Sequence, residues 1–313
     1  MIERYNSFNN HLKEVFGEKV YKIPLDPHFP CPNKDGKISK EGCIFCDKYG
    51  SGPIKTGRLK IKEQIEIGME RISKKYKAKK FIAYFQANTN TAASTERLEK
   101  IFDEALSYRD IVGISIGTRP DWVFSDHLEL LEKLNRRTYL WVELGLQTIH
   151  SKGLKFLRRH HDLADFVKTT LELKKRRIRV CAHTIIGIPG ETGEDMIETA
   201  RFLSAIGVDG VKIHLLHILK NTDLEKLYEE GKIKLLEKNE YVSIAVDFLE
   251  NLSPGIIIQR LTGERDREIF IAPEWALNKL DVIESIRKEF ERRNSYQGKN
   301  LNFSALKKYP FRK

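Results

Sequence analysis

The sequence predicts an α/β fold: a partial (β/α)6 TIM-like barrel followed by a C-terminal α/β extension. Three observations predict it. Short apolar runs rich in β-branched and aromatic residues alternate with amphipathic runs of helical period. Six such units follow one another through short connections, the pattern of a parallel sheet covered by helices. The chemically unusual residues fall just after successive strands, as they do on the rim of a parallel barrel. An open doubly wound sheet, the competing arrangement, would spread them along one edge.

VYKIPL (20–25) is the first expected strand, and a cysteine-bearing loop follows it. Residues 60–76 form a helix, with Ile61, Ile65, Met69, Ile72 and Tyr76 at helical spacing. Strands are then expected at 81–85, 111–116, 139–146, 179–186 and 210–216, and helices at 94–107, 125–136, 161–176 and 193–206. The strands are followed in turn by Gln86-Ala87-Asn88, Gly117-Thr118-Arg119-Pro120, Gln147-Thr148 and Gly187-Ile188-Pro189-Gly190, with His214 and His217 near the sixth. After about residue 220 the pattern loosens. NEYVSIAVDFLENL is helical and stops before Ser253-Pro254-Gly255, IIIQRL (256–261) is a strand, and 276–292 is a last helix. The expected division is residues 1–220 for the barrel with its cysteine loop, and 221–313 for an extension packed on it and ending in a basic tail.

The 313 residues suffice for one large core or two modest domains. No apolar run approaches a membrane span, and the charged start MIERYNSFNNHLKEVFG lacks a secretory apolar region, so the cytoplasm is the expected compartment. Formal charge is +11, from 55 basic and 44 acidic residues. The excess concentrates in Gly52–Lys80 (ten basic, three acidic) and Asp281–Lys313 (nine basic, four acidic). Such blocks suit either attraction to a phosphate backbone or solvated helix faces.

Of the four cysteines, Cys31, Cys43 and Cys46 lie in CPNKDGKISKEGCIFC, spaced C-x11-C-x2-C. Cys181 lies far away in an apolar strand and reads as a small core residue. The clustering favours metal or cluster ligation over disulfides. Pro32, Gly36 and Gly42 let the loop fold back and gather its thiols. Three thiolates on a four-iron cube would leave one iron open to an external ligand, whereas the same thiolates with His28 would make a closed zinc knuckle. On ligand chemistry alone the two stand level. The position after the first strand favours a substrate-facing cofactor.

These and other segments resemble the radical S-adenosylmethionine superfamily, and within it the YhcC/YtqA-type family related to the radical domain of the Elongator catalytic subunit. The matching pieces are FPCPNKDGKISKEGCIFC, AYFQANTNT, ISIGTRPD, TYLWVELGLQTIH, CAHTIIGIPGET, GVKIHLLHILKNT and IIIQRLTGERD, spread over roughly residues 20 to 285. The x11 spacing departs from the commoner x3 but suits this family, and Phe45 before the last cysteine also fits. The resemblance implies one [4Fe–4S] cluster with Cys31, Cys43 and Cys46 on three irons. S-adenosylmethionine would sit on the fourth iron and be cleaved reductively to a 5′-deoxyadenosyl radical.

It also implies cofactor contacts at the strand ends. Gln86, Asn88, Thr89 and Asn90 stand where the methionyl amine is met, though amides replace the family's usual glycines and acid. Arg119 is expected to hold the methionyl carboxylate or to anchor its loop. Glu143 in the fourth strand, with Gln147 at its end, is expected to meet ribose or the methionyl ammonium, or to pair with Arg119. Gly187 and Gly190 would approach adenine or ribose, and Glu191 would join them or cap the next helix. His183, Lys212, His214 and His217 are expected to face substrate, with Arg260 and Lys279 as further rim contacts.

The expected reaction is radical modification of tRNA at the C5 side chain of the wobble uridine, with ferredoxin or flavodoxin as electron donor and a downstream modifying enzyme as a further partner. No acetyltransferase domain of the Elongator type and no separate RNA-binding module is visible, so recognition would fall to the rim and tail. Two other readings stand beside it: the same radical core acting on a peptide or small metabolite, and a zinc-stabilised nucleic-acid-binding or scaffold protein without redox chemistry.

Overall fold

A computed structural model of the chain describes residues 3–263 and 265–301. Its elements run α1 (Phe8–Phe16), β1 (Val20–Leu25), α2 (Ile61–Tyr76), β2 (Lys80–Phe85), α3 (Thr95–Leu106), β3 (Ile111–Thr118), α4 (Ser125–Arg137) and β4 (Tyr139–Gln147). They continue with α5 (Ser151–Phe156), α6 (Leu163–Lys175), β5 (Arg179–Ile186), α7 (Gly193–Ile206), β6 (Gly210–Leu215), β7 (Ile218–Leu219) and α8 (Asp223–Glu229). The last are α9 (Lys238–Glu250), β8 (Ile257–Arg260), β9 (Phe270–Ala272) and α10 (Lys279–Arg292). Every strand and helix expected from periodicity is present, with ends displaced by no more than three residues. The unexpected elements, α1, α5, α8, β7 and β9, are short, and β7 and β9 exist through each other: Ile218 pairs with Ala272 and Leu219 with Phe270, antiparallel.

The chain divides into two compact units. The N-terminal unit is Asn9–Gly145 with Arg159–Cys181; the C-terminal unit is Met1–Phe8, Leu146–Arg158 and Ala182–Lys313. In the N-terminal unit the strand order is β1-β2-β3-β4-β5, and the first three pairings are parallel, from Val20↔Lys80 to Leu25↔Phe85 at β1–β2. β5 runs on into the C-terminal unit, where β6 and β8 follow it, again in parallel. This is the fold class the sequence predicts, a partial parallel β/α barrel with an α/β extension.

The strands are buried on both sides, which is why they read as continuous apolar runs. Ile82, Phe85, Ile114, Trp141 and Val142 are fully buried, as are Val211, Ile213, Tyr241 and Phe290 in the C-terminal unit. α2 shows how local signals set an element. The Glu63 carboxylate accepts from the Lys60 N–H at 2.9 Å to start it, and Lys77 in the left-handed region (φ 54°) ends it. Its Gly68 lies against β1 so closely that a Cβ would sit 2.3 Å from Ile23 Cγ2. Among the described residues no helix is long and apolar enough to cross a membrane. Residues 302–313 of the expected basic tail lie outside the described residues.

Candidate functional site

Parallel strands deliver their following loops to one end, and β1 delivers the cysteines. Residues 26–60 contain no helix or strand; backbone turns shape them instead. The N–H groups of Lys34 and Asp35 donate to the Cys31 carbonyl at 2.7 and 2.9 Å, and that of Cys46 to the Cys43 carbonyl at 3.0 Å. Gly42 takes φ 78°, and a Cβ there would stand 3.0 Å from Lys34 Cγ.

The sulfurs sit among hydrogen-bond donors. Cys43 Sγ accepts from Arg159 Nη1 at 3.2 Å and from Asn33 Nδ2 at 3.3 Å. Asn33 is itself held through Oδ1 by the His160 ring, 2.7 Å away. Thr89 Oγ1 donates to Cys31 Sγ at 3.6 Å, and Lys34, bonded to the Asp47 carbonyl at 2.7 Å, lies beside Cys46. Burial alone would push the Cys43 thiol up, but the charge and hydrogen bond of Arg159, with Asn33 and the charge of Arg119, outweigh it and the net shift is down, toward thiolate. Burial, helped by Cys43 and Asp47, pushes Cys46 up to about 11 against the pull of Lys34. Burial disfavours the Lys34 charge, yet Cys46, Cys31 and Asp47 carry its pKa upward.

Arg159 is 7% exposed and fully engaged: Nη1 on Cys43, Nη2 on the Gly145 carbonyl at 2.8 Å, and Nε on His161 Nε2 at 3.2 Å. The His161 ring also faces two carbonyls, Asp162 through Nδ1 and Gly145 through Nε2, each at 3.2 Å. Burial, then the charges of Arg159 and Arg119, bring His161 down to about 3, so it is neutral. The sequence motif Arg158-Arg159-His160-His161 carries no spacing signature; its only local mark is backbone φ of 53° at both Arg158 and His160.

Zinc at a Zn–S distance of about 2.3 Å needs tetrahedral thiolates about 3.8 Å apart. Among the described residues, the ligand atoms that approach within 4.8 Å in threes are those of His150, Asp195 and Glu198, and no cysteine is among them. Asp195 and Glu198 lie in the first turns of α7 and His150 just before α5, and Asp195 Oδ2 accepts from Thr192 N–H at 2.6 Å and from Lys152 Nζ at 2.9 Å. His28, the fourth ligand of the zinc reading, is exposed beside Asp26. A four-iron cube takes each thiolate on a different iron, wider apart, and its anionic sulfurs match the donors that Arg159, Asn33, Thr89 and Lys34 present. The residues fit the cluster rather than zinc.

The other expected residues of the N-terminal unit find mixed employment. Phe45 is half-buried in the cysteine loop. Gln86 Nε2 donates to the Ser51 carbonyl at 2.8 Å, and Asn88 (φ 56°) donates its N–H to the Gly50 carbonyl at 2.8 Å, so both brace the end of the loop. Asn90 donates to the Phe85 and Gly117 carbonyls at 3.0 and 2.7 Å. Arg119 gives its fork to Asp121, 2.9 Å through each nitrogen, and Nη2 also reaches the Arg159 carbonyl at 2.7 Å; its buried Nη1 has no hydrogen-bond partner among the described residues. Glu143 pairs not with Arg119 but with Lys22 Nζ at 2.6 Å, and accepts from Ser115 Oγ at 2.6 Å on the same oxygen.

In the C-terminal unit Gln147 ends β4 at φ 74°, and Gly187 and Gly190 take φ of 91° and 85° in the turn after β5. A Cβ on Gly187 would meet Leu236 at 3.1 Å. Glu191 is not the cap of α7: Thr192 is, its hydroxyl accepting from the Asp195 N–H at 3.2 Å. Burial raises the Glu191 carboxyl. His183 lies on β5 and Lys212 and His214 on β6, with the His183 and His214 rings 5.2 Å apart. Arg260 ends β8 and Lys279 begins α10.

The chain matches the radical SAM superfamily over residues 37–203, more than half its length, and the Radical_SAM C-terminal domain over residues 208–292. The first match includes Cys43 and Cys46; Cys31 lies upstream of it. Bacillus subtilis YtqA is 46% identical over 298 residues, 95% of this chain and 92% of that protein. A tRNA uridine(34) acetyltransferase of Methanocaldococcus jannaschii is 30% identical over 166 residues, 52% of this chain and 30% of that one. The solved structure of archaeal Methanocaldococcus infernus Elp3 shares the fold, with TM-score 0.64 at 18% identity, over 89% of this chain and 64% of that one. A likeness to YtqA that runs nearly end to end, joined to the domain match, makes this chain a member of the radical SAM superfamily, enzymes that work with a [4Fe–4S] cluster and S-adenosylmethionine.

Proposed function

We propose that Cys31, Cys43 and Cys46 ligate the cluster and that this enzyme modifies tRNA at the C5 side chain of the wobble uridine. The observation that carries the ligand assignment is the buried Arg159 guanidinium on Cys43 Sγ, which favours the anionic form a ligand must take. When bound, the cluster and S-adenosylmethionine supply a 5′-deoxyadenosyl radical for hydrogen abstraction at a substrate carbon.

The chain's own residues bind and orient. Arg159 and Asn33 donate to Cys43 and favour its thiolate, Thr89 donates to Cys31 Sγ, and Lys34 balances charge at Cys46. Arg119 is locked by Asp121, which leaves Nη1 as the nitrogen available to a cofactor oxygen. Glu143, satisfied by Lys22 and Ser115, ties β1, β3 and β4 together beneath the loop.

The tRNA assignment draws on the half of the chain that resembles a tRNA uridine(34) acetyltransferase and on the net charge of +11. An electron donor such as ferredoxin or flavodoxin is part of the same reading. Nucleoside profiles of tRNA from cells with and without this gene provide the test. Loss of the mature wobble uridine with accumulation of a precursor is expected; identical profiles from cells shown to express the protein would contradict the RNA assignment.

A further inference from the structure

The basic block Gly52–Lys80 lies wholly in the N-terminal unit and runs along α2. α2 buries Ile61, Gln64, Ile65, Gly68 and Ile72, with Gly68 against β1, and turns its other side to water. It starts where the cysteine loop ends and finishes just before β2 begins. It therefore leads from the strand ends that carry the cysteines to the opposite ends of the same strands. Its 16 residues, at about 1.5 Å each, make that path about 24 Å long.

Six cations mark the path: Lys55 and Arg58 at the end of the loop, Lys62 and Arg71 on α2, and Lys77 and Lys79 beyond it. All six are exposed, and none makes a side-chain hydrogen bond or ion pair among the described residues. The three acids of the block are turned elsewhere. Glu63 accepts from the Lys60 N–H at 2.9 Å, Glu66 from the Tyr108 hydroxyl at 3.1 Å, and Glu70 pairs with Lys74. α10, in the other basic block, is built the opposite way. There Arg287 reaches Glu284, and Arg292 and Arg293 both reach Glu289, each within one turn. That helix answers its own charge, as a solvated face does. The α2 face keeps its charge, at the expense of repulsion that an external polyanion relieves.

We propose that this face of α2, from Lys55 and Arg58 at one end to Lys77 and Lys79 at the other, docks the phosphate backbone of RNA. The proposal rests on the reading of the chain as an enzyme acting on tRNA. A basic face also suits an acidic redox protein, but an electron donor has to approach only the cysteine end. Cations at the far end of α2 serve a partner that is charged along its whole length. Phosphates repeated along an RNA strand meet that condition, and each one neutralised by a lysine or arginine releases counterions.

The test is fluorescence anisotropy of a labelled, unmodified tRNA transcript with the anaerobically reconstituted enzyme over a series of chloride concentrations. Binding that weakens with salt is expected. The triple variant Lys62→Gln/Arg71→Gln/Lys77→Gln should weaken it at least tenfold at fixed salt. It should also flatten the plot of log K against log salt by about 2–3, since each lost phosphate contact removes about 0.7–0.9. Arg287→Gln/Lys288→Gln/Arg292→Gln removes the same charge from α10 and should bind as the parent does. Arg71→Gln alone should move binding in the same direction if the triple variant does not fold. Equal loss in both triple variants, parental affinity and slope in the α2 variants, or a loss confined to flavodoxin binding would overturn the proposal. Nucleoside profiles separate it from the reading beneath it. A profile that changes with the gene, beside parental tRNA binding by the α2 variants, sinks the docking face alone. Binding lost in the α2 variants, beside identical profiles, sinks the wobble-uridine assignment alone.

Discussion

Replacing Glu143 asks whether this carboxylate serves the cofactor or the fold. Its side chain is fully buried, and one oxygen serves both Lys22 Nζ and Ser115 Oγ, each at 2.6 Å. Breaking a buried ion pair by removing one partner costs about 3–5 kcal/mol, because the other charge stays behind. The Lys22 side chain is 16% exposed, so its ammonium can reach some water, and Glu143→Ala belongs near the lower end, about 3 kcal/mol. Glu143→Gln keeps the shape and an acceptor for Ser115 and loses the charge, for a cost of about 1–3 kcal/mol. Against a total stability of about 5–15 kcal/mol, either loss is readily measured. Urea unfolding of the parent, Glu143→Gln, Lys22→Met and the double variant gives the coupling energy, expected near 1–3 kcal/mol in favour of the pair by the usual range for contacting residues, about 0.5–3 kcal/mol. Uncoupled variants of parental stability, with weakened S-adenosylmethionine binding, would refute the reasoning and return Glu143 to the cofactor.

Arg159→Gln removes the charge that outweighs burial at Cys43, so the thiol pKa of metal-free protein should rise, read by ultraviolet thiolate absorbance during titration, and reconstituted iron should fall; an unmoved titration would contradict the role given to Arg159. His161 is held neutral with a folded pKa of about 3, below its ordinary 6.5. Its stability contribution is therefore complete above pH 6.5 and declines as pH falls toward 3, by about 2 kcal/mol at pH 5. Unfolding of His161→Gln should be less sensitive to acid over that window, and an unchanged pH dependence would count against a neutral His161. Gly42→Ala places a Cβ at φ 78° and against Lys34, a cost of about 1–2 kcal/mol. It should retain less iron at a given denaturant concentration, and full iron retention would show that the turn does not govern the loop.

Much of the fold is legible in the residues because its signals are local. The buried parallel strands announce themselves as β-branched and aromatic runs, and α2 by Ile61, Ile65, Met69, Ile72 and Tyr76 at helical spacing. The ligand set is legible for the same reason: three cysteines within sixteen residues of chain. What tunes them is not. Arg159 lies 116 positions from Cys43, and Lys22 lies 121 from Glu143, so only the folded sheet makes them neighbours. Arg119 shows a subtler failure, since its bidentate geometry suits a cofactor carboxylate and Asp121, two residues on, takes it first. α5 and α8, of six and seven residues, are too short to show a helical period.

The most direct test of the cysteine assignment is anaerobic reconstitution of the parent and of Cys43→Ala with iron and sulfide, counting metal per chain and deoxyadenosine released from S-adenosylmethionine under reduction. The expected parent is brown, holds about four iron per chain and releases deoxyadenosine, while Cys43→Ala is pale and releases none. A colourless parent with stoichiometric zinc and no iron, or a Cys43→Ala protein that cleaves at the parental rate, would contradict it.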